Sequence, residues 1–396
     1  MKTITHKAST FGLATVTLLG FTAFQPAEAA SMYTVTDLGT IAGRENILHS
    51  PFSMNNAGQI VGRSGFFPSD RNVRAFVWKN GVMTDLGAWD GSNSEAFDIN
   101  DSGQIVGQSE INSDFFGSAF YPSHAFLWQN GVMTDLGTLG GVSSSANGIN
   151  NIGQVVGSAE NDNREERAFL WENGMMSDLG TLGGNSSVAG EINDSGQIVG
   201  SAETSNGSNH AFLWENGVIT DLGTLGGSFS TAYDINDSGQ VIGLAKLVGE
   251  GSFNHHAFLW QDSTMTDLGT LNEFPTSEAL GINNAGQVVG FTSNNDAGEH
   301  KAFLWENGVM IDLNSLIPSD SGWELLLAAD INDAGQITGI GRRNDNTESA
   351  VLLTPVSDPT AVPEPLTLLG SATALGFGAL FKREYSKRQK KVKPND

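Results

Sequence analysis

The 396 residues contain no cysteine. That excludes disulfides, thiolate metal centres, cysteine nucleophiles and a lipoprotein anchor together. A folded domain of this chain is therefore held by its core alone. Basic residues are also scarce, 20 Lys and Arg against 44 Asp and Glu, for a net charge of −24. Two of the 20 precede residue 30 and seven follow residue 381, so the interior is more acidic than the total suggests. Such a surface repels a phosphate backbone, which argues against nucleic acid as a partner. No Gly-x-Ser-x-Gly elbow, phosphate-binding glycine loop or His-Glu-x-x-His motif occurs. Glycine is plentiful instead, 49 residues beside 39% hydrophobic ones, a profile of many short strands and turns.

Uncharged apolar runs are few, and one lies near each end. Lys2 and Lys7 precede the stretch Phe11 to Phe24, and Ala27-Glu28-Ala29 follows as a small-x-small cleavage site. The expectation is a secretory signal over 1–29, with the mature chain beginning at Ala30. At the other end Val362-Pro363-Glu364-Pro365 leads into the uncharged stretch Leu366 to Phe381, then Lys382-Arg383 and a basic tail. Sixteen residues of helix span about 24 Å, and snorkelling Lys382 and Arg383 extend that reach towards a ~30 Å hydrocarbon core. The positive-inside bias leaves the tail cytoplasmic and everything before it outside. These three parts in this order closely resemble the PEP-CTERM sorting signal of bacterial envelope proteins. The resemblance implies an exosortase-like processing enzyme as partner, cutting near Pro363, Glu364 and Pro365, with the protein transiently anchored in the membrane.

Between the ends the chain repeats itself. Asp-Leu begins at Asp37, Asp85, Asp135, Asp178, Asp221, Asp267 and Asp312. Asn-x-x-Gly-Gln recurs seven times, with its Gln at 59, 104, 154, 197, 240, 287 and 336. Ala-Phe-Leu-Trp starts at Ala125, Ala168, Ala211, Ala257 and Ala302, with variants at Ala75 and Ala350. Each repeat reads as four short strands, A to D. Strand A ends at Ile-Asn, and a glycine turn leads into strand B, Gln-Ile-Val-Gly. Strand C is Ala-Phe-Leu-Trp, an Asn-Gly hairpin follows, and strand D ends in Asp-Leu-Gly. Strand C is apolar at successive positions, so both its faces are buried, as in sheets stacked against neighbours.

An open solenoid and a closed propeller both stack sheets this way. The ends favour closure: Tyr33 to Leu38 is a lone strand D, and the last repeat stops after strand C at Leu353. One D, six whole repeats and a final A-B-C make seven four-stranded blades, within the usual range for propellers. The expected fold is all-β: a seven-bladed β-propeller over 30–357 closed by the N-terminal strand, a linker over 358–365 and a C-terminal hydrophobic helix with its tail over 366–396. The repeat also resembles the HAF-repeat proteins of bacterial surfaces, over roughly residues 33 to 355. That resemblance implies location and fold, and carries no reaction with it.

The repeated residues read as architecture. Seven equivalent Asp suit strand-end acceptors of backbone N–H groups better than one unique active site. Phe and Trp of strand C read as inter-blade packing, and the repeated Gly of strand B as a close backbone approach between sheets. Asp98-Ile99-Asn100-Asp101-Ser102-Gly103 matches the start of a calcium loop, as does the segment from Asp234. Their twelfth positions, Ser109 and Ala245, lack the bidentate Glu, so a plain turn is expected and no cofactor is assigned. His255 and His256 are adjacent and point to opposite faces, which argues against one zinc site.

The B–C and D–A loops share one face and carry the length variation. Phe66, Phe67, Phe115, Phe116, Tyr121 and Phe253 lie there, with Trp89 and Trp323 on D–A connections. They form the candidate ligand face, since function sits on variable loops over a rigid scaffold. A non-catalytic binding or matrix protein of the envelope is the leading expectation, its partner an exopolysaccharide or a surface protein. The alternative is a polysaccharide hydrolase or lyase using carboxylates among Glu110, Asp114, Glu165 and Glu166.

Overall fold

The computed structural model describes residues 32–41, 49–65, 72–89, 93–111, 122–249, 255–271, 274–294 and 298–356. Within them the chain folds into seven four-stranded antiparallel sheets. Six are consecutive A-B-C-D meanders, as in blade 3: Gly140–Ile149, Val155–Asn161, Glu166–Glu172 and Met175–Asp178. The seventh combines Trp323–Ile331, Ile337–Arg343 and Glu348–Pro355 with the first strand, Tyr33–Asp37. Tyr33 pairs with Pro355 and Asp37 with Val351, in antiparallel register. This is the closure expected from the sequence. A 3-10 turn, Leu313–Leu316, follows blade 6. The expected C-terminal helix lies outside the described residues.

Each interface between blades has its own core. That between blades 2 and 3 joins Val106, Ala125 and Leu136 to Ala146, Ile149, Val155 and Phe169, with Trp171 partly buried against them. Phe76, Phe126, Phe169, Phe212, Phe258 and Phe303 are all fully buried, so strand C does pack between blades. Polar staples cross the same interfaces. Ser144 Oγ of blade 3 donates to Gly137 O at 2.6 Å and accepts the N–H of Ala125 in blade 2. Ser94, Ser187, Ser230 and Ser277 repeat it.

The repeated Asp of strand D accepts the N–H of the Gly two residues on, as at Asp135–Gly137 and Asp178–Gly180. Its second partner is the residue before Ala-Phe: His124 with Asp135, His210 with Asp221, His256 with Asp267, Arg74 with Asp85. Asp37 meets Arg343 across the closing sheet. Burial acts first, raising the Asp267 carboxyl, but the bonds from His256 and Gly269 outweigh it and hold the group below its ordinary value. These His–Asp pairs are cross-strand ties, repeated around the ring.

One expectation needs correcting. The repeated Gly of strand B does not mark contact between sheets; it faces strand A of its own blade. A Cβ at Gly157 would lie 1.9 Å from Ser145 O, and one at Gly200 would lie 2.0 Å from Val188 O. The carbonyl intrudes because every strand A carries a β-bulge, for example between Ala146 and Gly148 and between Ala189 and Glu191. The residue inserted there is Phe52, Phe97, Asn147, Gly190, Tyr233, Leu280 or Ala329 according to blade.

Candidate functional site

Strand A lies innermost in the ring, so its C-terminal ends and the A–B turns surround the axis. Two rings of hydrogen bonds close around it. In the first, the side chain of each turn Asn donates to the backbone carbonyl of the next: Asn55 to Asn100, Asn100 to Asn150, and on through Asn193, Asn236, Asn283 and Asn332 back to Asn55. In the second, the backbone N–H of each following residue donates to the side chain of its counterpart in the next blade. That circuit runs Asn56, Asp101, Asn151, Asp194, Asp237, Asn284, Asp333 and back to Asn56. Each turn Asn also caps its own turn, Asn100 Oδ1 accepting from Ser102 and Gln104 N–H.

Below these rings the axis opens into a funnel of about 320 Å3. Its wall carries Ser53, Asp98, Glu191, Asp234 and Asp330, each two residues before its turn Asn; in the other two blades that position is Gly148 or Gly281. A bulge lets neighbouring residues of strand A turn inward together. The glycines make room: a Cβ at 148 would sit 2.5 Å from Glu191 Oε1, and one at 281 would sit 2.8 Å from Asp330 Oδ1. Phe52, Phe97, Tyr233 and Leu280 also line the funnel, and the rings of Phe52 and Phe97 stand 5.6 Å apart.

Three of the four carboxylates bridge blades. Asp98 Oδ1 accepts from Ser53 Oγ at 2.6 Å and its Oδ2 from Ile149 N–H. Asp234 accepts from Ile282 N–H, and Asp330 accepts from Met54 N–H across the closure. Burial raises all four carboxyls, and their mutual repulsion adds to it for Glu191, Asp234 and Asp330. Asp234 is pushed up to about 7, Asp330 to about 8, and Glu191 well above the carboxylate range.

The oxygens of Asp98 and Asn100 are thus turned to different partners, Asp98 to Ser53 and Ile149 and Asn100 Oδ1 to its own turn. Among the described residues no group of three or more His, Asp or Glu is arranged to hold a metal. His256 ties to Asp267, while His255 faces Glu278 of the next blade at 3.3 Å, so the adjacent histidines do diverge.

On the B–C and D–A face a cleft of about 460 Å3 lies between blades 2 and 3. Glu95, Glu110, Ser145, Glu160, Arg164 and Glu166 line it. Glu110 and Glu166, two of the carboxylates weighed for hydrolysis, therefore share one depression. Both oxygens of Glu110 are held by Asn93, at 3.0 and 3.3 Å, while Glu166 takes one bond from Ser158. Glu165 is turned to Arg167 and Asn161, and Asp114 lies outside the described residues. So do Phe66, Phe67, Phe115, Phe116, Tyr121 and Phe253, the whole candidate ligand set. Of the two D–A aromatics, Trp89 packs edge-on to Phe126, and Trp323 packs in the blade 7 core under Arg343. The signal residues Ala27, Ala29 and Ala30 and the sorting residues Pro363, Glu364, Pro365, Lys382 and Arg383 also fall outside the described residues.

Residues 221–351 match the family described as "Protein of unknown function (DUF3466)". No curated protein matches the chain. Among solved structures, a puromycin-hydrolyzing peptidase of Mycobacterium tuberculosis is similar with a TM-score of 0.50 at 10% identity, over 85% of this chain and 57% of that one. This chain thus spans little more than half the peptidase's length. The β-propeller domain of the Trilobed protease from Pyrococcus furiosus has a TM-score of 0.49 at 9% identity, over 80% of this chain and 98% of that one. At 10% identity the likeness to the peptidase is one of fold.

Sequence reasoning missed the funnel, although its signal was visible. The residue before Ile-Asn is a carboxylate at Asp98, Glu191, Asp234 and Asp330 and Gly at 148 and 281, whereas the calcium comparison took the segments from Asp98 and Asp234 one at a time. Blades read one at a time do not show that the four carboxylates share one axis.

Proposed function

We propose that the protein is an exported, non-catalytic β-propeller of the bacterial envelope that binds a hydroxyl-rich polymer, an exopolysaccharide, on its B–C and D–A face. The cleft between blades 2 and 3 carries the reading. It lies on the face whose loops vary in length, and its carboxylates and serines are groups that pair with sugar hydroxyls. Catalysis is the weaker use of the same cleft. Hydrolysis needs an acid and a base free to move protons, and Glu110 spends both oxygens on Asn93. Export rests on the sequence of the two ends, and the exosortase-like enzyme on the resemblance around Pro363, Glu364 and Pro365.

A glycan array of purified exopolysaccharides tests the binding. The protein retains a subset, and Glu110→Gln with Glu166→Gln weakens retention about tenfold or more, as expected for two lost charged hydrogen bonds, without changing the thermal midpoint. New reducing ends on the retained glycan would make it an enzyme, and no retention at all would leave a structural coat. Mass spectrometry of envelope material checks export: the N-terminus is Ala30 and peptides from the Lys382 to Asp396 tail are missing.

A further inference from the structure

The four funnel carboxylates have no part in glycan binding on the opposite face. Among the described residues lining the funnel there is no Lys, Arg or His; the other ionisable groups facing it are Asp101, Asp194, Asp237 and Asp333 of the outer ring, and Tyr233. Asp98 is buried and the other three are partly buried; carboxylates crowded in this way without a basic partner have two physical escapes, a proton or a bound cation. Among the described residues no group of three or more His, Asp or Glu is placed to hold a metal, which favours the first. The same side chains are mechanical parts: Asp98 joins blade 1 to blade 2 and blade 2 to blade 3, Asp234 joins blades 5 and 6, and Asp330 joins blades 7 and 1.

We propose that Asp98, Glu191, Asp234 and Asp330 form a proton-operated clasp, whose shared proton load sets how tightly the ring is held closed. Protonated, Asp98, Asp234 and Asp330 keep their inter-blade bonds, and none of the four carboxyls repels another. Ionised together, they press the inner strands apart against the two asparagine-rich rings. The direction follows from linkage. Carboxyls raised in the folded state bind more protons there than in the unfolded chain, so stability is full below their unfolded values near 4 and falls as pH rises through the folded ones. For Asp234 that fall begins near the unfolded value and is complete at about 7, and for Asp330 at about 8.

Glu191 allows a clean test, because its one hydrogen bond, from Ile192 N–H, goes to Oε1. Glu191→Gln can keep that acceptor and remove one charge. In the whole protein the wild-type thermal midpoint falls between about pH 5 and about pH 9. The Glu191→Gln midpoint matches it at the lower pH and stays higher at the upper one. Asp320→Asn, the loss of one exposed charge outside the funnel, leaves the wild-type profile in place. A wild-type midpoint that rises with pH, or a Glu191→Gln profile parallel to wild type, overturns the clasp. So does calcium chloride that restores the midpoint at the upper pH in wild type but not in Glu191→Gln, since the funnel would then be a cation site. Carboxyl carbon NMR of the unsubstituted protein decides the matter if the variant does not fold. Carboxyls still titrating above about pH 6 support the clasp, and a full set ionised below about pH 5 overturns it.

Discussion

Phe169 and Trp171 stand two residues apart on strand C of blade 3 and reach different depths of one interface. Phe169 is 0% exposed, while Trp171 is partly buried at the margin of the same cluster. The motif Ala-Phe-Leu-Trp suggests two equal anchors, yet only the first is enclosed on all sides. Phe169→Ala should therefore cost about 3–5 kcal/mol through an unfilled cavity. Trp171→Ala should cost less, about 1–3 kcal/mol, because part of the ring already faces water. Urea unfolding midpoints of the two variants measure the difference. An equal or larger loss at Trp171 would mean that the indole, not the phenyl ring, seals the interface. The residue before Ala is the other single-residue lesson. The sequence shows His, Arg or Lys there without saying why, and pairing with Asp of strand D supplies the reason for Arg74, His124, His210, His256 and Lys301, while Arg167 turns to Glu165 instead.

At the scale of the strand, the bulge of strand A governs more than its own register. It pushes a carbonyl against strand B, which demands Gly there, and it turns neighbouring residues toward the axis, which gathers the carboxylates. Gly157→Ala would bring a methyl group to 1.9 Å from Ser145 O and so displace the bulge. Its expected destabilisation lies at the upper end of the about 1–3 kcal/mol typical of overpacking. Gly131→Ala, in the Asn130-Gly131 hairpin at φ 85° with open space around it, should cost only about 1 kcal/mol of backbone strain. Denaturation midpoints that rank the two the other way would remove the bulge from this role. The strands and turns themselves were legible, because Asn-Gly, the glycine turn and the apolar run of strand C each have a local signature. The bulge was not. Its inserted residue is Phe52, Asn147, Gly190 or Ala329 in different blades, and no residue type marks it. The cleft between blades 2 and 3 was half legible: the face was read from loop lengths, while the meeting of Glu110 and Glu166 depends on two blades coming side by side.

For the whole molecule, closure is the property on which the rest depends. It was legible because the ends are complementary: a lone strand D before the first repeat and a repeat lacking D at the end. The structure adds that the junction is as continuous as the other interfaces. Asn332 donates to Asn55 O, Asp333 N–H to Asn56 Oδ1 and Met54 N–H to Asp330 Oδ2 across it. Leu38 packs with Ala350 and Leu352 of blade 7 and with Phe76 and Trp78 of blade 1. Removing Tyr33 to Asp37 would expose the edge of the last strand and open that cluster, so the truncated chain should lose most of its cooperative unfolding transition. The ring itself, however, has no memory of where the chain begins. Thr34 pairs with Thr354 and Val35 with Leu353, as Met175 pairs with Glu172 and Met176 with Trp171 across the Asn173-Gly174 hairpin. A circular permutant that joins Pro355 to Tyr33 through Asn-Gly, with new ends between Asn173 and Gly174, turns the closing pair into an ordinary hairpin and moves the closure to blade 3. It should fold to the same ring with a urea midpoint close to that of the parent, because among the described inter-blade bonds only that from Met32 N–H to Leu316 O is lost and one turn is exchanged for another. A permutant that fails to fold would show that blade 7 must close last, and that the lone N-terminal strand serves the order of assembly as well as the finished ring.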